Sequence, residues 1–340
     1  MGDGDDMTLK LGVLGIDHGH IFGMLGQMLA RGCTCAGWWT GGPAVTRDKF
    51  VTTYPSIPEV TDRRRILDDP TIDMVLIAAV PADRAGLAIE AMEAGKDVMV
   101  DKPGVTDAVD LAALREVQAR TGRIWSVNFS ERFEVPAVAR AERLVAEGAI
   151  GRVVQVLGLG PHKQNLRTRP AWFFERARYG GILCDIGSHQ IDQFLHFTGA
   201  TDAEITHAHV ENTTRPDLPG FQDFGEMVLR APEGHGYIRV DWFTPDGLPT
   251  WGDGRLFLQG TEGQIELRKY TEVGAEHVTD QLYLVNGTEN RRIDCRAEPL
   301  PYFDRLIADV RARSETAMPQ THAFTVSALA IAAQAKAEQG

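Results

Sequence analysis

Apolar and polar positions alternate between two periods along the first third of the chain. Residues 9–14 form a short apolar run, followed by a tight turn and apolar positions at helical spacing as far as Leu29 and Ala30. A second strand pattern covers 33–40. Residues 72–79 are almost continuously apolar, as expected of a strand covered on both faces. Leu87, Ala88, Ala91 and Met92 give the 84–94 segment a helical core face, and Gly95 stops it. A short apolar strand at 98–100 leads to Lys102. Thr106 or Asp107 then caps a helix carrying Leu111, Leu114 and Val117, which Gly122 ends. Residues 124–129 read as a further strand. This alternation predicts a Rossmann-type, doubly wound parallel sheet over residues 1–127.

The pattern then changes. After a helix at 137–146, strand patterns occur at 152–159, 204–211, 225–230, 236–243, 255–259, 264–269, 281–285 and 291–294. One long helix, 183–197, interrupts them, and helices at 302–313 and 324–337 close the chain. Many strands with a covering helix predict a second domain, residues 128–340, built as an open, largely antiparallel α+β sheet.

Length and composition agree with two domains sharing a cleft, since 340 residues exceed one typical core. A net charge of −12 opposes binding to a nucleic-acid backbone or an anionic membrane. No apolar run is long enough to span a bilayer, and no signal pattern opens the chain. The acidic, glycine-rich stretch 1–6 predicts a disordered lead-in. Cys33, Cys35, Cys184 and Cys295 show neither metal-ligand spacing nor a disulfide framework, so a reducing cytoplasm is expected.

The first turn, Gly15-Ile16-Asp17-His18-Gly19-His20, sits where a dinucleotide fingerprint belongs, yet only Gly15 fits it. Asp17 replaces the glycine that lets a pyrophosphate approach. A carboxylate about 4 Å from a phosphate is repelled by roughly 4 kcal/mol at an effective dielectric near 20. Three outcomes are open: Asp17 caps the following helix, His18 or His20 neutralises it, or the cofactor binds weakly. The first is favoured. The second strand ends in Trp38-Trp39-Thr40-Gly41-Gly42 without the acid that holds an adenosine ribose in NAD-specific domains. Thr40 with Arg47 or Lys49 would instead accept a 2′-phosphate. NAD against NADP stays open.

Two segments carry the chemistry. Val100-Asp101-Lys102-Pro103 puts a lysine at the end of a buried strand, where open α/β sheets bind ligands. In Gly180-Gly181-Ile182-Leu183-Cys184-Asp185-Ile186-Gly187-Ser188-His189 a carboxylate and an imidazole stand four apart, on one helix face. Lysine, histidine and aspartate in one cleft suit proton removal from an alcohol as a cofactor takes hydride. Arg132 begins the crossing into the second half. The loop with His162, Lys163, Arg167, Arg169 and Trp172 suggests a polyhydroxylated or anionic substrate, with a solvated loop equally compatible. A metal on Asp185 and His189, with His162 or His18, lacks a third ligand fixed by spacing, so none is expected.

With these motifs the chain resembles the glucose-fructose oxidoreductase / inositol dehydrogenase / MocA family over nearly its whole length. Ala91-x-x-Ala94-Gly95-Lys96-Asp97-Val98, Gly148-Ala149-Ile150-Gly151 and Gly260-Thr261-Glu262-Gly263 add to the likeness. Asp101 replaces the family's usual glutamate before Lys-Pro, and Val80-Pro81-Ala82 replaces its Thr-Pro-Asn. The resemblance implies that Lys102 touches nicotinamide ribose and substrate hydroxyl, that His189 is the acid/base, and that Asp185 orients the substrate. It also implies an open sheet used for homodimer or homotetramer contacts.

The cofactor residues expected are Gly15, Ile16, Asp17, His18, Thr40, Pro81, Asp101 and Lys102; those for substrate are Arg132, His162, Lys163, Arg169 and Trp172. The function expected is NAD(P)-dependent oxidation of a secondary hydroxyl of a sugar, cyclitol or sugar acid. The rivals are a redox-neutral glycosidase or lyase on the same scaffold, and a sugar-binding protein without dinucleotide affinity.

Overall fold

The structure, a computed structural model, describes residues 8–275 and 277–339, so the expected disordered lead-in lies outside the described residues. Strands β1 (Lys10–Ile16), β2 (Thr34–Trp39), β3 (Met74–Ala78), β4 (Asp97–Asp101) and β5 (Trp125–Asn128) form one sheet in the order β2-β1-β3-β4-β5. All neighbours pair in parallel, and every residue of β3 and β4 is buried. Helices on both faces cover such strands, which is why they read as unbroken apolar runs.

The five strands of the sheet fall on the five strand patterns located in the sequence. Between β2 and β3 the chain forms the helices Arg47–Thr53 and Arg64–Leu67, and only a single bridge from Trp38 to Glu59 extends the pairing there. Asp107 caps the Ala108–Thr121 helix by accepting from Val109 N and Asp110 N, both at 2.9 Å, and Gly122 ends it at φ +63°. Both match the signals read from sequence.

The second sheet holds β6 (Val153–Pro161), β7 (Glu204–Glu211), β8 (Phe224–Arg230), β9 (His235–Asp241), β10 (Arg255–Gly260), β11 (Gly263–Arg268), β12 (Gln281–Asn286) and β13 (Asn290–Asp294). Their order is β13-β12-β11-β10-β6-β9-β8-β7, antiparallel except at β6–β9. Alternating burial along β8 and β9 marks one covered face and one open face. The Gly187–Thr198 helix lies on the covered face with Phe194 against Gly236.

The last helix, Gln320–Ala337, returns to the first sheet. Phe324 stacks on Trp125 at 4.8 Å, and Gln320 Oε1 accepts from Trp125 N at 2.8 Å. Tyr302 adds a hydroxyl contact to Ser126 at 2.7 Å. The two sheets thus share a packed boundary, and the carboxyl ends of β1, β3 and β4 open onto it. Among the described residues, no helix is long and apolar enough to cross a membrane.

Candidate active site

Lys102 follows β4 directly and precedes Pro103 through a cis bond. Its side chain is buried, and Nζ donates to Asp185 Oδ1 at 2.6 Å. Asp185 arrives from the other half of the chain. Gly180 and Gly181, at φ +89° and +87°, turn the chain into the short helix Ile182–Asp185, and a Cβ on Gly181 would lie 2.2 Å from Gln334. Only glycine accepts that turn at that distance. Burial pushes the Asp185 carboxyl up, but the Lys102 ammonium overrides it and holds it below its ordinary value.

The single helix expected over 183–197 is broken at Ile186 into Ile182–Asp185 and Gly187–Thr198. His189 lies in the second piece, 1 % exposed, with Nδ1 unpartnered. Burial drives its pKa down to about 3; Glu131 opposes this, while Lys102, His20 and His162 add to it. His189 stands behind His20, their rings 6.5 Å apart, and is not part of the cavity wall.

That cavity, of about 420 Å³, is walled by Lys102, Asp185, His18, His20, His162 and Trp172, with Pro81, Arg169, Trp242 and Trp251 among the rest. His162 sets its ring 4.5 Å from Trp251, with Nδ1 3.0 Å from Gly160 O. Burial lowers its pKa to about 4, against the pull of Glu131. Arg169 is stacked on Phe173 and Trp242 and donates to the carbonyls of Lys163 and Gln164.

Asp101 stands behind this wall rather than in it. It is fully buried and accepts from Arg84 Nη2 at 2.8 Å, His18 Nδ1 at 2.9 Å and His20 Nδ1 at 2.8 Å. Burial would raise its carboxyl, and Arg84 with the two imidazoles pulls it well below the ordinary value. One carboxylate therefore orients two imidazoles. Burial takes the His18 pKa down to about 4 against the pull of Asp101, so His18 stands neutral near pH 7. Among the described residues, His18, His20 and Asp101 are also the one group close enough to hold a metal. Arg84 already shares the carboxylate, and both ring distances are ordinary hydrogen-bond lengths. Asp185, His189 and His162 form no such group.

Several sequence expectations change in position. Asp17 does not cap the Ile21–Leu29 helix, whose N-cap is His20 without a side-chain bond. Its carboxylate turns toward the end of β2 and accepts from Ala44 N at 2.7 Å, with Thr40 Oγ1 3.5 Å away. His18 and His20 do not neutralise it, being spent on Asp101. Gly15 keeps its role: at φ +82° a Cβ would meet Ala79 at 2.5 Å, and Asp17 N and His18 N both donate to Ala78 O. Ile16 is fully buried as the last residue of β1.

Two basic residues expected at the substrate are elsewhere. Arg132 makes a bidentate pair with buried Asp192, Nε and Nη2 each 2.7 Å from an oxygen, because a desolvated guanidinium needs a desolvated carboxylate. Lys163 donates to the carbonyls of Asp246 and Leu248 and ties down that loop. Neither is part of the cavity wall.

Arg84 was missed. It is fully buried and donates to the carbonyls of Ala79, Asp101, Lys102 and Pro103, fixing the backbone around Lys102. The available signal was an arginine opening a helix, where the dipole disfavours a cation. Trp242 and Trp251 were missed as well, since nothing local marks them as cleft residues.

Known proteins match this frame at both ends. Residues 42–129 match the model of an oxidoreductase family with an NAD-binding Rossmann fold, and residues 138–266 match the GFO/IDH/MocA C-terminal domain. Levoglucosan dehydrogenase of Pseudarthrobacter phenanthrenivorans is 34% identical over 238 residues, 67% of this chain and 57% of that protein. The NAD(+)-linked scyllo-inositol 2-dehydrogenase of Bacillus subtilis is 29% identical over 206 residues, 60% of this chain and again 57% of the relative. The chain is thus matched to little more than half the length of each.

A crystal structure from Erwinia carotovora atroseptica superposes with a TM-score of 0.93 at 41% identity, covering 97% of this chain and 98% of that one. A levoglucosan dehydrogenase complexed with NADH and levoglucosan, at 18% identity and a TM-score of 0.81 over 98% and 97% of the two chains, shares the fold. With both halves matched in order around one cleft, the chain belongs to the Gfo/Idh/MocA oxidoreductase family, whose N-terminal part is an NAD-binding Rossmann fold.

Proposed function

We propose that this chain is an NAD(P)-dependent dehydrogenase acting on a secondary hydroxyl of a sugar, cyclitol or sugar acid. The observation that carries the reading is the Lys102–Asp185 ion pair at 2.6 Å in the wall of an aromatic-lined cavity at the carboxyl ends of the parallel strands. The relatives' names, levoglucosan and scyllo-inositol dehydrogenase, favour redox chemistry over the glycosidase, lyase and binding-protein readings.

The residues fit a dinucleotide. Gly15 keeps the strand-to-helix turn tight. A second cavity of about 390 Å³, bordered by Trp39, Gly42 and Leu87, lies across Asp17 from the first. Trp39, Gly42 and Leu87 would hold the adenosine side; Pro81, His18 and Lys102 would hold the nicotinamide side. The bound nicotinamide supplies the hydride acceptor.

The protein's own groups do the rest. Lys102, held by Asp185, donates to the substrate hydroxyl oxygen and stabilises negative charge as it develops there. Asp185 fixes the hydroxyl's position through its second oxygen. Neutral His189, behind His20 and outside the cavity wall, receives the proton through a bridging water, and the Glu131 carboxylate favours the imidazolium that forms. Trp172, Trp242 and Trp251 offer apolar faces to a sugar ring, with His162 as a hydrogen-bonding neighbour.

The open face of the second sheet, with a groove of about 620 Å³ bordered by Leu157, Phe257, Tyr283 and Val285, is where we place self-association into a homodimer or homotetramer. The four cysteines are free, as a reducing cytoplasm would keep them. The test of the reading is a panel of neutral sugars, cyclitols and sugar acids offered with NAD+ and with NADP+, following reduced nicotinamide. Reduction with at least one polyol is expected; none with any, from folded protein, contradicts the reading.

A further inference from the structure

The end of β2 lacks an acid in sequence but has one in space. Asp17 Oδ1 accepts from Ala44 N at 2.7 Å, and Oδ2 lies 3.5 Å from Thr40 Oγ1. A Cβ on Gly42 would sit 2.4 Å from both oxygens, so the loop leaving β2 runs directly over the carboxylate. The first turn thereby delivers a carboxylate to the site where a Rossmann sheet meets the adenosine ribose.

The surrounding charges agree. The cavity at this point is bordered by Asp17, Asp83, Glu90 and Asp110 and by one cation, Arg63. Arg63 is taken up by Glu90 through two bonds of 2.7 and 2.8 Å and lies over the Trp39 ring. The two cations that sequence offered for a 2′-phosphate are engaged elsewhere. Arg47 pairs with Glu59 over Trp38, and Lys49 sits 4.3 Å from the Phe22 ring centre. Glu90 is paired with Arg63 and Asp83 with Arg178, so among the described residues a 2′-phosphate would face Asp17 and Asp110 as carboxylates without an ion-pair partner, with no unpaired cation bordering the cavity.

We propose that Asp17 is the chain's cofactor-selecting residue, accepting from the adenosine ribose hydroxyls and excluding a 2′-phosphate, so that the protein uses NAD(H) and not NADP(H). This rests on the dehydrogenase reading above. It gives the defective fingerprint a purpose: the charge that opposes a phosphate at the glycine position is the one the second strand omits.

Calorimetric titration of the full chain with NAD+ and NADP+ tests this without turnover. Wild type should bind NAD+ at least ~100-fold more tightly than NADP+, the selectivity one misplaced phosphate charge supports. Asp17→Asn, which can keep the Ala44 bond but loses the charge, should narrow that ratio by at least ~10-fold. Glu90→Gln, which frees Arg63, should improve NADP+ binding with little change for NAD+. Equal binding, or preference for NADP+, in wild type overturns the proposal and leaves the dehydrogenase reading standing. Absence of binding to either overturns both. A folded Asp17→Asn with the wild-type ratio also overturns it; if that variant does not fold, the wild-type ratio alone decides.

Discussion

Replacing Arg132 by methionine separates a structural role from a substrate role at a residue whose sequence context suggested the second. Asp192 is fully buried and accepts from Arg132 twice, at 2.7 Å each, and from His322 at 2.8 Å. Methionine keeps an aliphatic stem over Phe133, where the guanidinium now lies 4.3 Å from the ring centre, and removes both donors. The carboxylate is then left buried with one imidazole. Breaking one side of a buried pair costs ~3–5 kcal/mol, out of a typical total near ~5–15 kcal/mol.

Burial alone would raise the Asp192 carboxyl, whereas Arg132 and His322 hold it well below the ordinary value. A lowered carboxyl stabilises the fold above its unfolded pKa and loses that contribution as pH falls through the folded one. The Arg132→Met loss should therefore be largest at neutral pH and shrink below about pH 4. Urea unfolding followed by tryptophan fluorescence measures it. Arg132→Met combined with Asp192→Leu should recover most of the loss, because an apolar pair carries no stranded charge. A single-variant loss under ~1 kcal/mol, or weakened substrate binding with stability intact, refutes the reasoning.

The remaining expectations concern pH and the first turn. His18, His162 and His189 have pKa values driven by burial to about 4, about 4 and about 3. Unfolded histidines take up protons near pH 6.5 that these do not, so stability should fall as pH drops from there toward 4, by up to ~1.4 kcal/mol per pH unit for each ring. Thermal midpoints at pH 8 and pH 5 measure this, and a flat or rising trend on acidification would count against it. Gly15→Ala forces a side chain into left-handed backbone and against Ala79, and should cost at least ~2 kcal/mol. An unchanged thermal midpoint would show that the turn is not as tight as described.

Both sheets were legible in sequence because each obeys a local rule. The unbroken apolar run at β3 marks a strand covered twice, and the alternation along β8 and β9 marks one covered once. Lys102 and Asp185 were legible as chemistry because a lysine at the end of a buried strand and a glycine-rich approach to a carboxylate are both costly without a use. The rest depended on partners far apart in sequence. No local pattern says that Asp17 turns across to Ala44, that Asp101 serves His18 and His20, or that Lys163 spends itself on the carbonyls of Asp246 and Leu248. The break at Ile186 likewise escapes a periodicity argument, since every residue from Ile182 to Leu195 is buried and no exposed face marks the interruption.

The paired roles of Lys102 and His189 are tested most directly by turnover of Lys102→Ala and His189→Ala beside wild type, on the best polyol of the panel with saturating nicotinamide cofactor. Each variant, with wild-type far-ultraviolet circular dichroism, should lose at least ~100-fold in kcat. Near-wild-type kcat from both folded variants would contradict the account.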